Sequence, residues 1–325
     1  FLLNPGFVDR RPTPRLTRHL SYGDPNMKIP SSSSAATTPI PPPLSLDLGH
    51  LHARRVMHMH CHHLRILQVG CGGIGGFLAT HTARIARECE RLFDTISISF
   101  FDGDLVEEKN LRRQNFSISE VGLNKAETLA FRLNAAWGMN IQAYPRHFHQ
   151  SDARYEHDTL TLILGCVDNC KARIEMHQFL EDFMRYENAQ NWWLDGGNLR
   201  THGQVLIGNC KTLTDLAQGF SLSNICQALP SPALLHPELV KHERKSAQKP
   251  AQSCAELMHA DPQSLTINSI IASHMADYML RLLVTNDLKR FATYIDMDTG
   301  STRSLPTTPA VLNRVLGQPV IPTET

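Results

Sequence analysis

The chain has 325 residues, which is enough for one large α/β domain with additions or for two modest domains that each bury a core. Its 32 Lys and Arg residues nearly balance its 31 Asp and Glu residues, and this excludes a globally basic nucleic-acid binder or membrane-surface protein. No run of about 18 apolar residues occurs, so no segment of the sequence qualifies as a transmembrane helix. Eight cysteines without a Cys-x-x-Cys pair suit reduced thiols. We therefore expect a cytoplasmic protein whose partners include neither nucleic acid nor a membrane.

Residues 1–56 form a segment rich in Pro and Ser, including Ser31–Ser34 and Pro41–Pro43. Such a composition buries too little apolar surface to order itself, so we predict a disordered leader and assign it no function. The segment lacks the continuous apolar core of a signal peptide. Met27 and Met57 are candidate start sites.

A cluster of imidazole and thiol groups follows this leader, namely His58, His60, Cys61, His62 and His63. These groups are good metal ligands. We favour the interpretation of a solvated run beside the first strand, because composition alone is a weak guide to metal binding.

The first predicted elements form a βαβ unit. The aliphatic run Leu64–Val69 predicts a strand, and the glycine-rich turn Gly70–Gly76 leads into a helix whose apolar residues recur at spacings of three, four and seven. The second strand, Ile96–Phe101, ends at Asp102. We expect the two strands to be parallel, with a right-handed crossover between them.

The next predicted elements extend the same sheet. Asn124 is a candidate N-cap of a helix, and Ile141–Tyr144 predicts a strand. Thr159–Leu164 is almost wholly apolar, as in the central strand of a parallel sheet, and Asp168 follows its carboxyl end. The remaining elements of this part are a helix at Lys171–Arg185, strands at Trp192–Leu194 and Gln204–Ile207, and a turn between these strands at Gly196–Gly197.

The C-terminal part of the chain begins with an irregular segment. Phe220–Pro250 has no steady apolar period, so we predict a loop or a mobile crossover. Leu265–Leu283 predicts a long helix, and Asp298–Ser301 predicts the turn of a closing hairpin. The helix has apolar residues on more than one face, which predicts a homodimer; an ordinary core helix is the alternative.

These elements together predict the fold class. It is α/β, with a Rossmann-like, mostly parallel sheet and flanking helices, plus a C-terminal helix and hairpin.

The glycine-rich turn is a nucleotide-binding signal, because glycines allow a tight turn and a close approach of phosphate or ribose to backbone N–H groups. The glycines are Gly70, Gly72, Gly73 and Gly75. By itself this spacing favours a dinucleotide-dependent dehydrogenase. Asp102 and Asp104 close the second strand and supply a carboxylate for ribose hydroxyls, which fits NAD and ATP equally.

Three further side chains indicate chemistry at a triphosphate. Arg113 and Lys125 provide a guanidinium and an ammonium group that can neutralise phosphates before a carboxylate attacks them. Asp168 offers a hard oxygen ligand for Mg²⁺, and a magnesium site completed by phosphates needs only one or two protein carboxylates. Together these groups suit nucleotidyl transfer.

Five motifs occur in a fixed order, namely Gly70-Cys-Gly-Gly-Ile-Gly, Asp102-x-Asp104-x-Val106, Asn110-Leu-x-Arg-Gln114, Gly122-x-x-Lys125 and Asp168-Asn-x-x-x-Arg173. Over about Leu64–Ile207 the ordered set resembles the ThiF/MoeB/ubiquitin-activating superfamily of adenylation enzymes. The resemblance implies ATP and Mg²⁺ as cofactors, a ribose contact for Asp102 and magnesium binding by Asp168. It implies phosphate contacts for the remaining matched residues, Asn110, Arg113, Gln114 and Lys125.

The resemblance also implies a reaction, the adenylation of the C-terminal carboxylate of a small ubiquitin-like protein. The segment Gln252–Glu256 is similar to the branch found in plasmid-associated PRTRC cassettes, whose relatives accompany such a small protein. Cys254 in this segment is the candidate thiol for a subsequent thioester, and Cys226 is its competitor.

The sequence departs from the superfamily pattern at two points. Lys109 stands where a serine is usual, and its charge either helps phosphate binding or faces water. The zinc-binding cysteine pairs of many relatives are missing, so we expect no structural zinc.

The resemblance suggests how the chain is divided. Residues 57–210 are predicted to form an ATP-binding adenylation domain, residues 211–263 a crossover, and residues 264–325 a helix and hairpin that complete the same domain. Two other functions stay open. An NAD(P)-dependent oxidoreductase leaves Arg113, Lys125 and Asp168 without roles, and a ThiF-like module could bind a nucleotide or a protein without turnover.

Overall fold

The computed structural model describes residues 48–153, 156–180, 189–216, 218–241 and 265–321. The strands of this part are β1 (Arg55–Val56), β2 (His63–Val69), β3 (Thr95–Phe101), β4 (Ile141–Tyr144), β5 (Thr159–Gly165), β6 (Ala189–Asn198), β7 (His202–Gly208), β8 (Ile225–Cys226), β9 (Arg290–Asp296) and β10 (Ser301–Pro306). The α-helices are α1 (Gly73–Cys89), α2 (Lys125–Trp137), α3 (Cys170–Phe179), α4 (Pro232–Leu235), α5 (Ile267–Leu283) and α6 (Pro309–Leu316).

Eight strands form one sheet in the order β10-β9-β7-β6-β5-β2-β3-β4. Strands β4, β3, β2, β5 and β6 are parallel, whereas β7, β9 and β10 extend the sheet with antiparallel pairings. The chain leaves β2 towards β3 and β4, then returns to β5 on the other side of β2. The carboxyl ends of β2 and β5 therefore flank the topological switch point, where sheets of this kind bind ligands. The predicted fold class is confirmed.

Two separate clusters of buried side chains cover the two faces of the sheet. One includes residues from α1 and α5, such as Leu78 and Met275, and the other includes Met176 of α3. Alternation along β6 places Trp192 in the first cluster and Trp193 in the second, and both are fully buried. All seven residues of β5 are buried as well, which confirms the prediction of a central strand at this point of the sequence.

The predicted turn at Gly196–Gly197 is wrong, because both glycines lie inside β6 and the chain reverses after Asn198. A Cβ atom at Gly196 would lie 2.4 Å from Met275 Sδ, and one at Gly203 of β7 would lie 2.4 Å from Ile271 Cδ1. The missing side chains let α5 approach the sheet closely, and this packing is a reason for glycine within a strand.

The helix predicted at Lys171–Arg185 begins at Cys170 and is shorter, since its C-cap is Leu180. Residues 181–188 lie outside the described part. The long C-terminal helix and the hairpin around Asp298–Ser301 are present as α5 and as β9 with β10.

The predicted boundaries of the leader and of the crossover need correction. Leu48–His52 form a 3₁₀-helix, and Arg55–Val56 form the parallel strand β1, which pairs with β8. The pairing joins the end of the predicted leader to the predicted crossover, which also contains α4. Residues 1–47 and 242–264 lie outside the described part.

The structure changes the interpretation of the cluster of imidazole and thiol groups before β2. Cys61 is buried, whereas we interpreted the His58–His63 cluster as a solvated run.

In the described part of the chain, no helix combines the length and the apolar character needed to cross a membrane.

Candidate functional site

The backbone around the glycine turn after β2 leaves no room for a side chain at Gly70 or at Gly75. Gly70 has a φ of +92°, and a Cβ atom there would lie 2.5 Å from the carbonyl oxygen of Cys166, just beyond β5. A Cβ atom at Gly75 would lie 2.0 Å from the carbonyl oxygen of Gly70. The turn is therefore closed against β5 at the switch point, and α1 begins directly after it at Gly73. Its first N–H groups offer an anion-binding end.

Asp102 is fastened to the glycine turn at the carboxyl end of β3. Its carboxylate accepts hydrogen bonds from the backbone N–H groups of Cys71, at 2.7 Å, and Asp104, at 2.8 Å. Burial raises the pKa of Asp102, and the two N–H donors oppose that effect. The carboxylate is thus held beside the turn, as the predicted ribose contact requires.

Lys125 and Asp104 form an ion pair of 3.0 Å between Nζ and Oδ2. The lysine side chain is only 7% exposed, whereas the aspartate side chain is 64% exposed. The ammonium group therefore has a buried stem and a partner that faces solvent. The ammonium group can therefore exchange the carboxylate of Asp104 for a phosphate oxygen while the aliphatic part of the lysine side chain stays in place.

Asn124 places Lys125 beside the loop after β3. From the sequence, Asn124 was predicted only as a helix cap. Its Oδ1 accepts from the backbone N–H of Glu127, which confirms the cap. Its Nδ2 donates to the carbonyl oxygens of Asp102, at 2.9 Å, and Asp104, at 3.1 Å. One side chain thus joins the start of α2 to both carboxylate-bearing residues.

The segment Asn110–Gln114 begins inside the 3₁₀-helix Glu108–Arg112 and ends just after it, and its side chains are of two kinds. Asn110 is 3% exposed, and its Oδ1 accepts from the backbone N–H of Glu107, so this amide organises the loop. Gln114 lies beside Gly72, where a Cβ atom would be 3.6 Å from Gln114 Nε2. Gln114 Oε1 is buried and has no hydrogen-bond partner among the described residues. A buried acceptor of this kind is expected where a ligand supplies the donor.

Asp168 lies in the loop after β5 and is exposed. Asn169 rather than Asp168 caps α3, since its Oδ1 accepts from the N–H of Ala172 at 2.9 Å. Asp168 is therefore not committed to the cap. Because Cys166, two residues earlier, contacts Gly70, Asp168 follows the strand end that closes on the glycine turn.

Arg113 is half-buried and is joined to a residue that the sequence analysis missed. Asn268, in the first turn of α5, donates from Nδ2 to the carbonyl oxygen of Arg113 at 3.1 Å. A Cβ atom at Gly73 would lie 2.8 Å from the Asn268 amide. No local pattern indicates this residue, because 155 positions separate it from Arg113.

Arg173, the last residue of the Asp168 motif, forms a buried ion pair with Asp195 of β6. Its Nε lies 3.2 Å from Oδ1, and the two side chains are 8% and 0% exposed. Burial raises the pKa of Asp195, whereas the guanidinium group lowers it. Gly165 leaves room for the pair, since a Cβ atom there would lie 2.5 Å from Asp195 Oδ1. The pair fixes α3 against the sheet.

Two cysteines of the described part, Cys71 in the glycine turn and Cys226 in β8, are fully buried and are therefore poor nucleophiles. Burial raises the pKa of Cys71 well above its ordinary value, and burial raises the pKa of Cys226 to about 12. Cys226 is also fully buried, which argues against it as the acyl-accepting thiol. Cys254 lies outside the described residues.

Lys109 forms an exposed ion pair with Glu107, at 2.8 Å between Nζ and Oε2. Of the two interpretations of this lysine, the structure therefore favours the one in which it faces water.

One group in the described part places three side chains that could bind a metal within 4.8 Å of one another: His202, Asp296 and Asp298. Hydrogen bonds within the β9–β10 hairpin and from the neighbouring Thr201 account for the positions of both carboxylates. Asp296 accepts from the N–H of Asp298, and Asp298 accepts from Thr201 Oγ1.

Solved structures to which this chain is similar include those of PaaA and MccB. PaaA has 16% sequence identity and a TM-score of 0.48, over 75% of this chain and 64% of PaaA. MccB from E. coli, in structures with ATP and with AMPCPP and MccA, has 15% identity and TM-scores of 0.47 and 0.46, over 75% of this chain and 63% of MccB. The chain thus spans less than two thirds of the length of either protein. No curated protein matches the sequence.

The sequence itself matches the model of the ThiF family over residues 57–310. This match includes the glycine turn, both carboxylates after β3, the loop of Arg113, and α5. The chain belongs to the ThiF family.

Proposed function

We propose that this chain uses Mg-ATP to adenylate the C-terminal carboxylate of a small protein or peptide, and that a small ubiquitin-like protein is the substrate. The observation that carries the proposal is the buried Lys125, which pairs with Asp104, while the nearby Asp102 accepts a hydrogen bond from Cys71 in the glycine turn. Membership of the ThiF family supports the same reaction class. The alternative of an NAD(P)-dependent oxidoreductase leaves this buried cation without a role.

The described residues fit a nucleotide with its magnesium ion. The glycine turn and the start of α1 provide N–H groups for phosphates, and Gln114 Oε1 is a buried acceptor that awaits a donor. Asp102 would hold the ribose, while Arg113 and Lys125 would face the phosphates. Asp168 would bind Mg²⁺, which neutralises phosphate charge when bound.

In the proposed reaction, a carboxylate oxygen of the substrate forms a bond to the α-phosphorus of ATP. The bond from this phosphorus to the α–β bridging oxygen breaks, and pyrophosphate leaves with the electron pair. Lys125 and Arg113 stabilise the charge that develops on the phosphate oxygens, which is their part in lowering the barrier. Asp102 and the glycine turn keep the nucleotide in one orientation.

The test of this proposal is ATP–pyrophosphate exchange, measured with pooled small proteins encoded by neighbouring genes as acceptors. We expect exchange in the unaltered chain, and a loss of about 100-fold or more in Lys125→Ala and in Arg113→Ala, because each removes charge stabilisation at the phosphates. Lys109→Ala is the matched control, since this lysine is exposed and paired with Glu107.

Near-normal exchange in both active-site variants would contradict the proposal. Binding of Mg-ATP without exchange for any acceptor would favour the non-catalytic module. Binding of NADH in preference to Mg-ATP, measured by calorimetry, would favour the oxidoreductase.

Two finer parts of the proposal concern partners. A thioester on Cys254 stays a prediction, to be checked by trapping a thiol-labile conjugate that Cys254→Ser abolishes.

A homodimer also stays a prediction. The packing of α5 against α1, β6 and β7 accounts for the apolar residues on several of its faces, so light scattering must decide.

A further inference from the structure

Asn268 connects two parts of the nucleotide site that come from distant segments. It lies in the first turn of α5 and is 1% exposed. Its Nδ2 donates to the carbonyl oxygen of Arg113 at 3.1 Å. The loop that carries Arg113 is also tied to α1, since Asn115 Nδ2 donates to the carbonyl oxygen of Gly76 at 3.0 Å. The backbone of this loop is therefore held from both α1 and α5.

Gly73 faces the same amide. A Cβ atom at Gly73 would lie 2.8 Å from both Nδ2 and Oδ1 of Asn268, a separation that Cβ atoms essentially never show. A Cβ atom at the neighbouring Gly72 would make only ordinary contacts, the nearest at 3.6 Å. The requirement for glycine at position 73 thus comes from Asn268 and not from the tightness of the turn itself.

We propose that Asn268 is a positioning residue of the nucleotide site, which holds the backbone of Arg113 at a set distance from the first turn of α1. The inference rests on the proposed function, in which Arg113 contacts the phosphates. Asn268 acts through Arg113, because its amide contacts the arginine carbonyl and lies behind the glycine turn. Helix α5 thereby contributes to a site whose other residues follow β2, β3 and β5 or lie in α1 and α2.

The proposal predicts that changes at Gly73 and Asn268 act through one contact. Asn268→Ala removes the donor to Arg113, and Gly73→Ala pushes the same amide away from that carbonyl. We expect each variant to weaken Mg-ATP binding by about tenfold, and the double variant to be about as weak as either single one. Isothermal titration calorimetry with Mg-ATP measures all four chains.

Two additional variants separate positioning from a loss of structure. Asn268→Asp keeps the size of the side chain but removes the donor, so we expect the same weakening with little change in volume. Ser273→Ala is the matched control on the exposed side of α5, with binding unchanged. In an Arg113→Ala background, Asn268→Ala should have no further effect on Mg-ATP affinity, whereas a general loss of structure would still weaken binding.

Independent effects of Gly73→Ala and Asn268→Ala, which would multiply to about 100-fold, would overturn the inference. So would normal binding in Asn268→Asp. If the unaltered chain binds no Mg-ATP, the proposed function and the positioning role both fail. If it binds Mg-ATP and the effects multiply, only the inference fails.

Discussion

The two halves of the sheet contribute to the candidate site in different ways. In the parallel half, the polar residues follow the strands directly: Asp102 and Asp104 come after β3, and Asp168 comes after β5. In the antiparallel half, β7, β9 and β10 carry none of the proposed ligand-binding residues. This half instead supports α5, whose Asn268 reaches back to the glycine turn.

The difference shows two kinds of constraint. Under the proposed function, the chemistry of the nucleotide constrains the parallel half, and the polar residues of this half fall within short sequence motifs. The antiparallel half is constrained by packing, because Gly203 of β7, together with Gly196 of the boundary strand β6, leaves the space that Ile271 and Met275 of α5 occupy. Strand β6 separates the halves and bears the ion pair between Asp195 and Arg173.

The largest effect on stability should come from breaking this boundary ion pair. Arg173→Leu leaves Asp195 buried without its cation, and we expect the free energy of unfolding to fall by about 3–5 kcal/mol. The double variant Arg173→Leu with Asp195→Leu removes both charges and should recover much of that loss. Urea denaturation measures both chains. Equal losses in the two would show that packing and not charge holds α3 against β6.

A smaller effect should distinguish a glycine of the candidate site, Gly70, from a glycine against which α5 packs, Gly196. Gly70→Ala forces a side chain into the left-handed region and against the backbone of Cys166, so we expect a loss of about 3 kcal/mol. Gly196→Ala meets the flexible side chain of Met275, and the expected loss is about 1 kcal/mol. The comparison uses denaturation midpoints and slopes. A larger loss at Gly196 would make packing of α5 the stricter constraint.

The smallest effect concerns the pH dependence of nucleotide binding at Asp102. Burial raises the pKa of this carboxyl, so protonation begins above the ordinary range of an aspartate and weakens Mg-ATP binding as the pH falls. The effect on stability has the opposite sign. The stability that this group contributes is present below its ordinary pKa and is lost as the pH rises through the raised value.

Asp102→Asn is the reference for this measurement, because the phosphates of ATP titrate equally in both chains. We expect weaker binding in Asp102→Asn, with a flatter dependence on pH by calorimetry. Parallel pH profiles in the two chains would contradict a role for the Asp102 carboxylate in binding.

The amino-acid sequence by itself determined the βαβ unit, the central strand β5 and the family, and it predicted the residues of the candidate site. These features depend on short-range patterns: apolar runs that end at polar residues, glycines that permit a tight turn, and an Asn that caps α2. The sequence also predicted Asn124 as a capping residue, but it did not predict the hydrogen bonds of Asn124 to Asp102 and Asp104.

Only the tertiary structure decided which distant groups meet. The turn predicted at Gly196–Gly197 was wrong because glycine permits turns and also close helix packing, and one sequence does not distinguish these uses. The pairing of Lys125 with Asp104, of Arg173 with Asp195, and of Asn268 with Arg113 depends on contacts between separate elements. Such contacts leave no periodic signal in the chain, since each involves a single side chain whose partner is placed by the packing of the whole sheet.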